Sequence, residues 1–262
     1  MSQPRIDVVI TAAGVATLTL DDLPKKNAMT EALGTALAEA VQRLRMREDV
    51  RAVVVTGAGE AFSAGGDLAM LERLRQSSFA DARAHMLDFY ARYLSLLDLE
   101  VPTIAAVRGP AIGAGLCVAC ACDLVVVADD ATLAFNFVGL GLHPGMGATA
   151  LVARKVGEQR AAELLLTGRR FKGVEAAAFG LAVEAVAAGD VLARSQAIAA
   201  QIAANSPTAV RELKRNLGVD REALRLALER EASAQARSYQ SADMAEGLAA
   251  LREKRAPQFT GG

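Results

Sequence analysis

Two short stretches place glycines where a strand hands over to a helix. Phe62-Ser-Ala-Gly-Gly-Asp-Leu68 follows the run Val53–Thr56, and Gly109-Pro-Ala-Ile-Gly-Ala-Gly115 follows Ile104–Val107. Glycine lets a backbone approach a ligand closely, and the free amides of a helix's first turn attract negative charge. Two such turns facing each other make an oxyanion hole, whose donors are worth about 3 kcal/mol each in a transition state. Spacing alone equally allows two tight turns that hold nothing. Neither turn carries the Gly-Lys-Ser/Thr of a Walker loop, and Gly109–Gly115 lacks the ordered G-x-G-x-x-G of a dinucleotide site.

The other candidates are side chains. Cys117, Cys120 and Cys122 crowd one segment, with Cys117 and Cys120 on one face of a helix. A structural zinc needs four ligands, and only His85 and His143 could join them, so buried reduced thiols are the expectation and no metal is assigned. Both histidines have chemistry near neutrality, although a lone histidine is more often structural. Asp67 sits in the first glycine turn, where a short carboxylate bonds neighbouring amides.

The elements that must position these residues alternate. Ile6–Ile10 and Val15–Leu20 read as two strands around a turn, Glu31–Arg47 as an amphipathic helix and Ala52–Thr56 as the next strand. A short helix after the first glycine turn, a long one over Phe79–Leu99, and strand Thr103–Val107 follow. Helix Ala114–Ala121, strand Leu124–Val127, helices Ala148–Val156 and Glu158–Leu166, and strand Leu181–Val186 continue the pattern. From Val191 onward only helices are expected: Val191–Ala204, Thr208–Leu217, Arg221–Arg237 and Ala242–Lys254. This is an α/β chain with a core over residues 1–190 and a helical region over 191–262. Alanine- and leucine-rich faces of that region point to packing on the core or on a second copy.

The 262 residues suffice for one large domain with an appendage. With 52% hydrophobic residues, 4% aromatic and no tryptophan, the core must be aliphatic. Lys plus Arg number 29 against 30 Asp plus Glu, which leaves no cationic excess for a nucleic-acid backbone. The first residues lack a signal-peptide pattern, and no apolar run approaches the roughly 18 residues of a membrane span. A cytoplasmic protein without membrane or nucleic-acid partners is expected.

Several motifs in order carry a resemblance: Lys26-Asn-Ala-Met29, Ala61-Phe-Ser-Ala-Gly-Gly-Asp-Leu68, Val107-Arg-Gly-Pro-Ala-Ile-Gly-Ala-Gly115, Cys122-Asp123, the stretch Gly141–Thr149, and Glu246-Gly-Leu through to Phe259. Together they resemble the enoyl-CoA hydratase/isomerase, or crotonase, family over nearly the whole chain. The resemblance implies a spiral of ββα repeats with a helical C-terminal region, assembled as a homotrimer or a dimer of trimers. It implies an acyl-CoA thioester as substrate and no cofactor beyond that CoA. By position, the N–H groups of Gly66 and Ala114 become the oxyanion hole. Ala64, Asp67 and Leu68 meet the adenine and pantetheine, and Lys26 and Ala28 lie along the CoA. Lys254-Arg255 with Phe259 approaches its nucleotide end.

The chain departs from the family's hydratases at the two glutamates that activate water and protonate the α-carbon. Those positions hold Cys117 and Phe137. Cys117, Asn136, Phe137 and His143 are expected to line the acyl pocket, with Asn136 able only to position. Without both carboxylates, enolate chemistry that needs no strong protein base is favoured, and decarboxylation of a malonyl- or glutaconyl-type thioester is one such reaction. Decarboxylating members use a lysine after the first turn, and this chain has none between Lys26 and Lys155. A non-catalytic acyl-CoA-binding protein is the rival reading.

Overall fold

The computed structural model describes residues 3–262. Strands β1 (Arg5–Ile10) and β2 (Val15–Asp21) form an antiparallel hairpin, and helix α1 (Glu31–Arg45) returns the chain to β3 (Ala52–Gly57), parallel to β2. Thr30 caps α1 by accepting from the Leu33 amide, and Leu33, Leu37, Val41 and Leu44 form its buried stripe. After the first glycine turn come α2 (Leu68–Arg75) and α3 (Phe79–Leu94), started by Asp67 and Ser78 as side-chain caps.

The second half repeats one unit. Strand β4 (Thr103–Val107) leads to the two-residue β5 (Ala111–Ile112) and α4 (Ala114–Ala121); β6 (Leu124–Ala128) leads to β7 (Thr132–Ala134) and then α5 (Ala148–Val156) and α6 (Glu158–Thr167). Short β8 (Arg170–Lys172), α7 (Gly173–Ala178) and β9 (Glu184–Val186) close the series. The large sheet runs β1-β2-β3-β4-β6-β9, parallel after the first pair, and β5-β7-β8 form a second sheet. This is the expected α/β crotonase spiral: each turn contributes a strand to the large sheet, the later turns also supply the three strands of the small sheet, and helices follow. Every residue of β3 and β4 is buried, as a parallel sheet covered on both faces requires.

Helices α8 (Val191–Ala203), α9 (Pro207–Leu217), α10 (Arg221–Tyr239) and α11 (Ala242–Glu253) end the chain. Helix α8 packs on β2, β3, β4 and β6, so the helical region starts inside the layered core; α10 packs along α3, and α11 against α2. Some boundaries differ from the sequence reading. The helix expected over Phe79–Leu99 stops at Leu94 and tightens into a 3₁₀ turn over Ser95–Asp98, with the Ser95 hydroxyl donating to the Arg92 carbonyl. The strand expected over Leu181–Val186 keeps only its last three residues, because the Leu181 and Ala182 amides donate to the Ala176 carbonyl instead. No helix among the described residues is long and apolar enough to cross a membrane.

Candidate active site

β3 and β4 are hydrogen-bonded parallel neighbours, so the glycine turns that follow them leave the same edge of the sheet. The turns then pair. Ser63 and Ala111 form a parallel bridge, the Ile112 amide donates to Ser63 O at 3.1 Å, and the Phe62 and Ser63 amides donate to Pro110 O at 3.0 and 3.2 Å. On the other side of the first turn, Met29 bridges Gly66, and the Met29 amide donates to Gly65 O at 2.7 Å. Gly65 (φ 92°) and Gly113 (φ 53°) adopt left-handed conformations that a Cβ would strain. A Cβ at Gly65 would also stand 2.7 Å from Ile112 O, which measures how closely the turns are packed.

Both turns open onto one cavity of about 450 Å³. Gly66 and Ala114 are on its wall, and neither amide donates to a backbone oxygen among the described residues. Ala114 is the first residue of α4, so its N–H has no acceptor within the helix. The mouth is formed by exposed Lys25, Leu68, Arg170 and Leu251. Asp67 is the one carboxylate of the wall, and Lys25 donates to it at 2.7 Å. Burial pushes the Asp67 carboxyl up, but the Lys25 ammonium and the Met70 and Ala69 amides outweigh it and hold it below the usual range. The floor is formed by Met86, Phe89, Tyr90, Met146, Gln235 and Tyr239, all buried. It holds no ionisable acid except the two phenols.

Comparison with known proteins decides the family. A model described as Enoyl-CoA hydratase/isomerase matches residues 11–262. The chain belongs to the enoyl-CoA hydratase/isomerase family. A Mycobacterium bovis protein named "Probable enoyl-CoA hydratase echA8" is 36% identical over 254 residues, covering 94% of each chain. An enoyl-CoA hydratase/isomerase structure from Pseudoalteromonas atlantica T6c superposes with a TM-score of 0.85 at 32% identity, over 97% of this chain and 99% of that one. The ECH2 decarboxylase domain of CurF from Lyngbya majuscula gives a TM-score of 0.83 at 23% identity, over 94% of this chain and 98% of that one, a likeness of fold.

Of the positions transferred from the family, Gly66, Ala114, Ala28, Ala64, Asp67, Leu68, Asn136 and Phe137 are all on the cavity wall. Lys26 is not, and Lys25 takes that place. The reason is local: Lys26 (φ 52°) and Asn27 (φ 55°) are both left-handed, which reverses the chain after the turn Leu23–Lys25. The Lys26 carbonyl is pinned by the Ala64 amide at 3.0 Å, and the buried Asn27 amide group donates to Ala58 O and Ala61 O.

Cys117 does not reach the cavity. All eight residues of α4 are buried, so past its first turn the helix presents side chains to the core. Burial pushes the Cys117 thiol well up, opposite to what a helix N-terminus would do, and leaves it protonated. Cys120 and Cys122 are also buried and free, and no group of three or more His, Cys, Asp or Glu among the described residues is placed to hold a metal ion. His143 lies instead on an outer apolar groove with Val138, Pro144 and Leu166, and its ring Nδ1 is 2.6 Å from Pro144 O. His85 is off the cavity, 3.9 Å from Glu31, and burial lowers its pKa. Lys254, Arg255 and Phe259 are also off the wall, with Arg255 paired to Glu246 and Glu253.

Sequence reading missed Tyr90, Gln235 and Tyr239. Tyr90 Oη donates to Gln235 Oε1 at 2.8 Å across 145 positions of sequence, and Gln235 Nε2 donates to His143 O at 2.8 Å. The available signal was the four-residue spacing of Met86 with Tyr90 and of Gln235 with Tyr239, which puts each pair on one helix face. Near them, buried Glu231 accepts from the Gly147 and Thr149 amides and the Thr149 hydroxyl at 2.7, 2.8 and 2.6 Å. It caps α5, which has no side-chain cap of its own.

Proposed function

We propose that this acyl-CoA enzyme holds the thioester carbonyl oxygen between the N–H groups of Gly66 and Ala114 and stabilises the enolate that forms there. The observation that carries the reading is the pairing of the two glycine turns around one cavity, with both amides free of backbone acceptors. Such donors act in a water-poor site already oriented, so they stabilise developing charge without reorganising. CoA runs out past Ala28, Ala64, Asp67 and Leu68, and Lys25 at the mouth offers it a cation.

The same cavity argues against efficient hydration. Activating water and protonating the α-carbon needs titratable groups within reach, and Asp67 is held by Lys25 and by its duty as the α2 cap. Decarboxylation of a malonyl- or glutaconyl-type thioester suits the site better. The C–C bond electrons flow into the thioester carbonyl as CO₂ leaves, and the two amides receive the resulting oxyanion. The apolar groove lined by Leu142, Pro144 and Leu166, with Leu166 76% exposed, supports assembly as a homotrimer or dimer of trimers, which light scattering of the purified protein tests.

The test of function is a panel of crotonyl-CoA, malonyl- and glutaconyl-type thioesters and β-keto thioesters, followed by mass spectrometry. Conversion of one of the acidic thioesters with slow crotonyl-CoA hydration is expected. Hydration at ordinary hydratase rates would overturn the reading, and tight CoA binding with no product from any thioester would make the protein a binder.

A further inference from the structure

Tyr239, on the last turn of α10, is fully buried on the cavity floor. Its hydroxyl has one protein partner, the Met86 sulfur at 3.4 Å, and Met86 is also on the floor. A thioether is a weak acceptor, and buried phenols ordinarily reach an oxygen or nitrogen. The neighbouring polar groups are already committed. Tyr90 donates to Gln235, Gln235 donates to the His143 carbonyl, and both Glu231 oxygens serve the Gly147–Thr149 segment. The loop leaves these groups no room to re-pair, since a Cβ on Gly145 would stand 2.5 Å from Tyr90 Oη and 2.6 Å from Gln235 Nε2. Tyr239 is therefore a donor left without an oxygen or nitrogen acceptor at the closed end of an acyl-sized cavity.

We propose that the acyl group carries a neutral oxygen, a keto or hydroxyl group beyond the thioester, that accepts a hydrogen bond from Tyr239. Neutrality follows from the surroundings. Phe89, Met86 and Met146 line the same buried end of the cavity, and the wall cations Lys25 and Arg170 are at the exposed mouth, so a carboxylate beside Tyr239 would be buried without a counter-charge. The acid lost in a decarboxylation sits instead nearer the thioester and the Gly66 and Ala114 amides. Burial also pushes the Tyr239 phenol up, which keeps it protonated and able to donate. The inference rests on the reading above that the acyl group occupies this cavity.

The test uses stable CoA thioethers of one chain length, a plain S-alkyl-CoA and a series with a keto oxygen at successive carbons, titrated calorimetrically into the intact protein. One keto position should bind about tenfold or more tightly than the plain chain, and Tyr239→Phe should bring that ratio close to one. Met86→Leu, which removes the competing sulfur, should raise the ratio and serves even if the phenylalanine variant does not fold. A wild-type protein that prefers no keto position, a preference that survives Tyr239→Phe, or one that Met86→Leu fails to raise would overturn the inference while leaving the acyl-CoA reading intact. Failure of every thioether to bind would instead remove the acyl-CoA reading, and the inference with it.

Discussion

The mouth and the floor of the cavity are built on opposite electrostatic terms. At the mouth, Lys25 and Arg170 are charged and open to water, and Lys25 and the half-buried Asp67 neutralise each other at 2.7 Å. At the floor, Tyr90, Gln235 and Tyr239 are neutral and buried, and Tyr90 donates to Gln235 between α3 and α10. Charge is kept where solvent screens it, and a closed apolar end excludes ions that it could not pair. Between the two ends, a developing oxyanion meets backbone dipoles, which carry no net charge to desolvate beforehand. The difference between the ends is thus a reason for main-chain amides to do the electrostatic work.

The sharpest way to break that comparison is to delete one amide without altering the helix it starts. Ala114 is the first residue of α4, the position where proline is best tolerated, so Ala114→Pro removes the N–H and keeps the fold. Turnover of whichever thioester the panel identifies should fall about 100-fold or more, while circular dichroism shows an unchanged melt. Activity within a few-fold of wild type would mean that this amide does not hold the oxyanion.

A second change probes the floor. Glu231 accepts three hydrogen bonds and holds the start of α5 against α10, next to the loop that supplies Met146 to the cavity. Glu231→Gln sets an NH₂ against at least one of those donors, and the expected loss of stability is about 1–3 kcal/mol. For a domain of this size that lowers the melting temperature by about 2–4 °C per kcal/mol. A melting temperature equal to wild type would show that the floor is held by apolar packing alone.

These two ends were unequally legible in the sequence. The large sheet and the long helices could be read because Val53–Thr56 and Ile104–Val107 are unbroken β-branched or apolar runs and because Leu33, Leu37, Val41 and Leu44 keep helical spacing. The glycine turns were legible for the same local reason. The strands β5, β7 and β8 were not, since two or three residues are too few to show alternation. The floor was hidden because Tyr90 meets Gln235 only when α3 and α10 pack, and no local pattern announces a contact between helices so distant in sequence. Lys25 was mistaken for Lys26 because two successive left-handed residues reverse the chain there, and neither is a glycine that would have advertised it. Cys117 was misplaced because its position in the order of the family's motifs, at one of the hydratase glutamates, does not say which face of α4 looks inward.

The same burial that hides Cys117 offers a smaller test of how dry the inner end is. A thiol that is fully buried, and pushed up in pKa by that burial, reacts slowly, because the thiolate is the nucleophile. Iodoacetamide at neutral pH should therefore label none of the three cysteines in the native protein and all three after unfolding, as read by intact mass. Native labelling at Cys117 would mean that the inner wall opens to solvent.

The smallest effect is expected at the mouth, where screening is strongest. Asp67 caps α2 through the Met70 amide and pairs with a Lys25 side chain that is 49% exposed. Because the folded carboxyl titrates below its unfolded value of about 3.9, its contribution is present above that pH and disappears as pH falls through the lower folded value. Asp67→Asn keeps the cap and removes the charge, so it should cost less than about 1 kcal/mol at pH 7, and that cost should shrink as pH falls below the unfolded value of about 3.9, measured by urea melts across that range. Lys25→Ala should raise KM for the CoA thioester more than it lowers kcat, since the cation acts far from the carbonyl. A larger loss in kcat than in KM would place charge at the reacting centre and erase the distinction between the two ends.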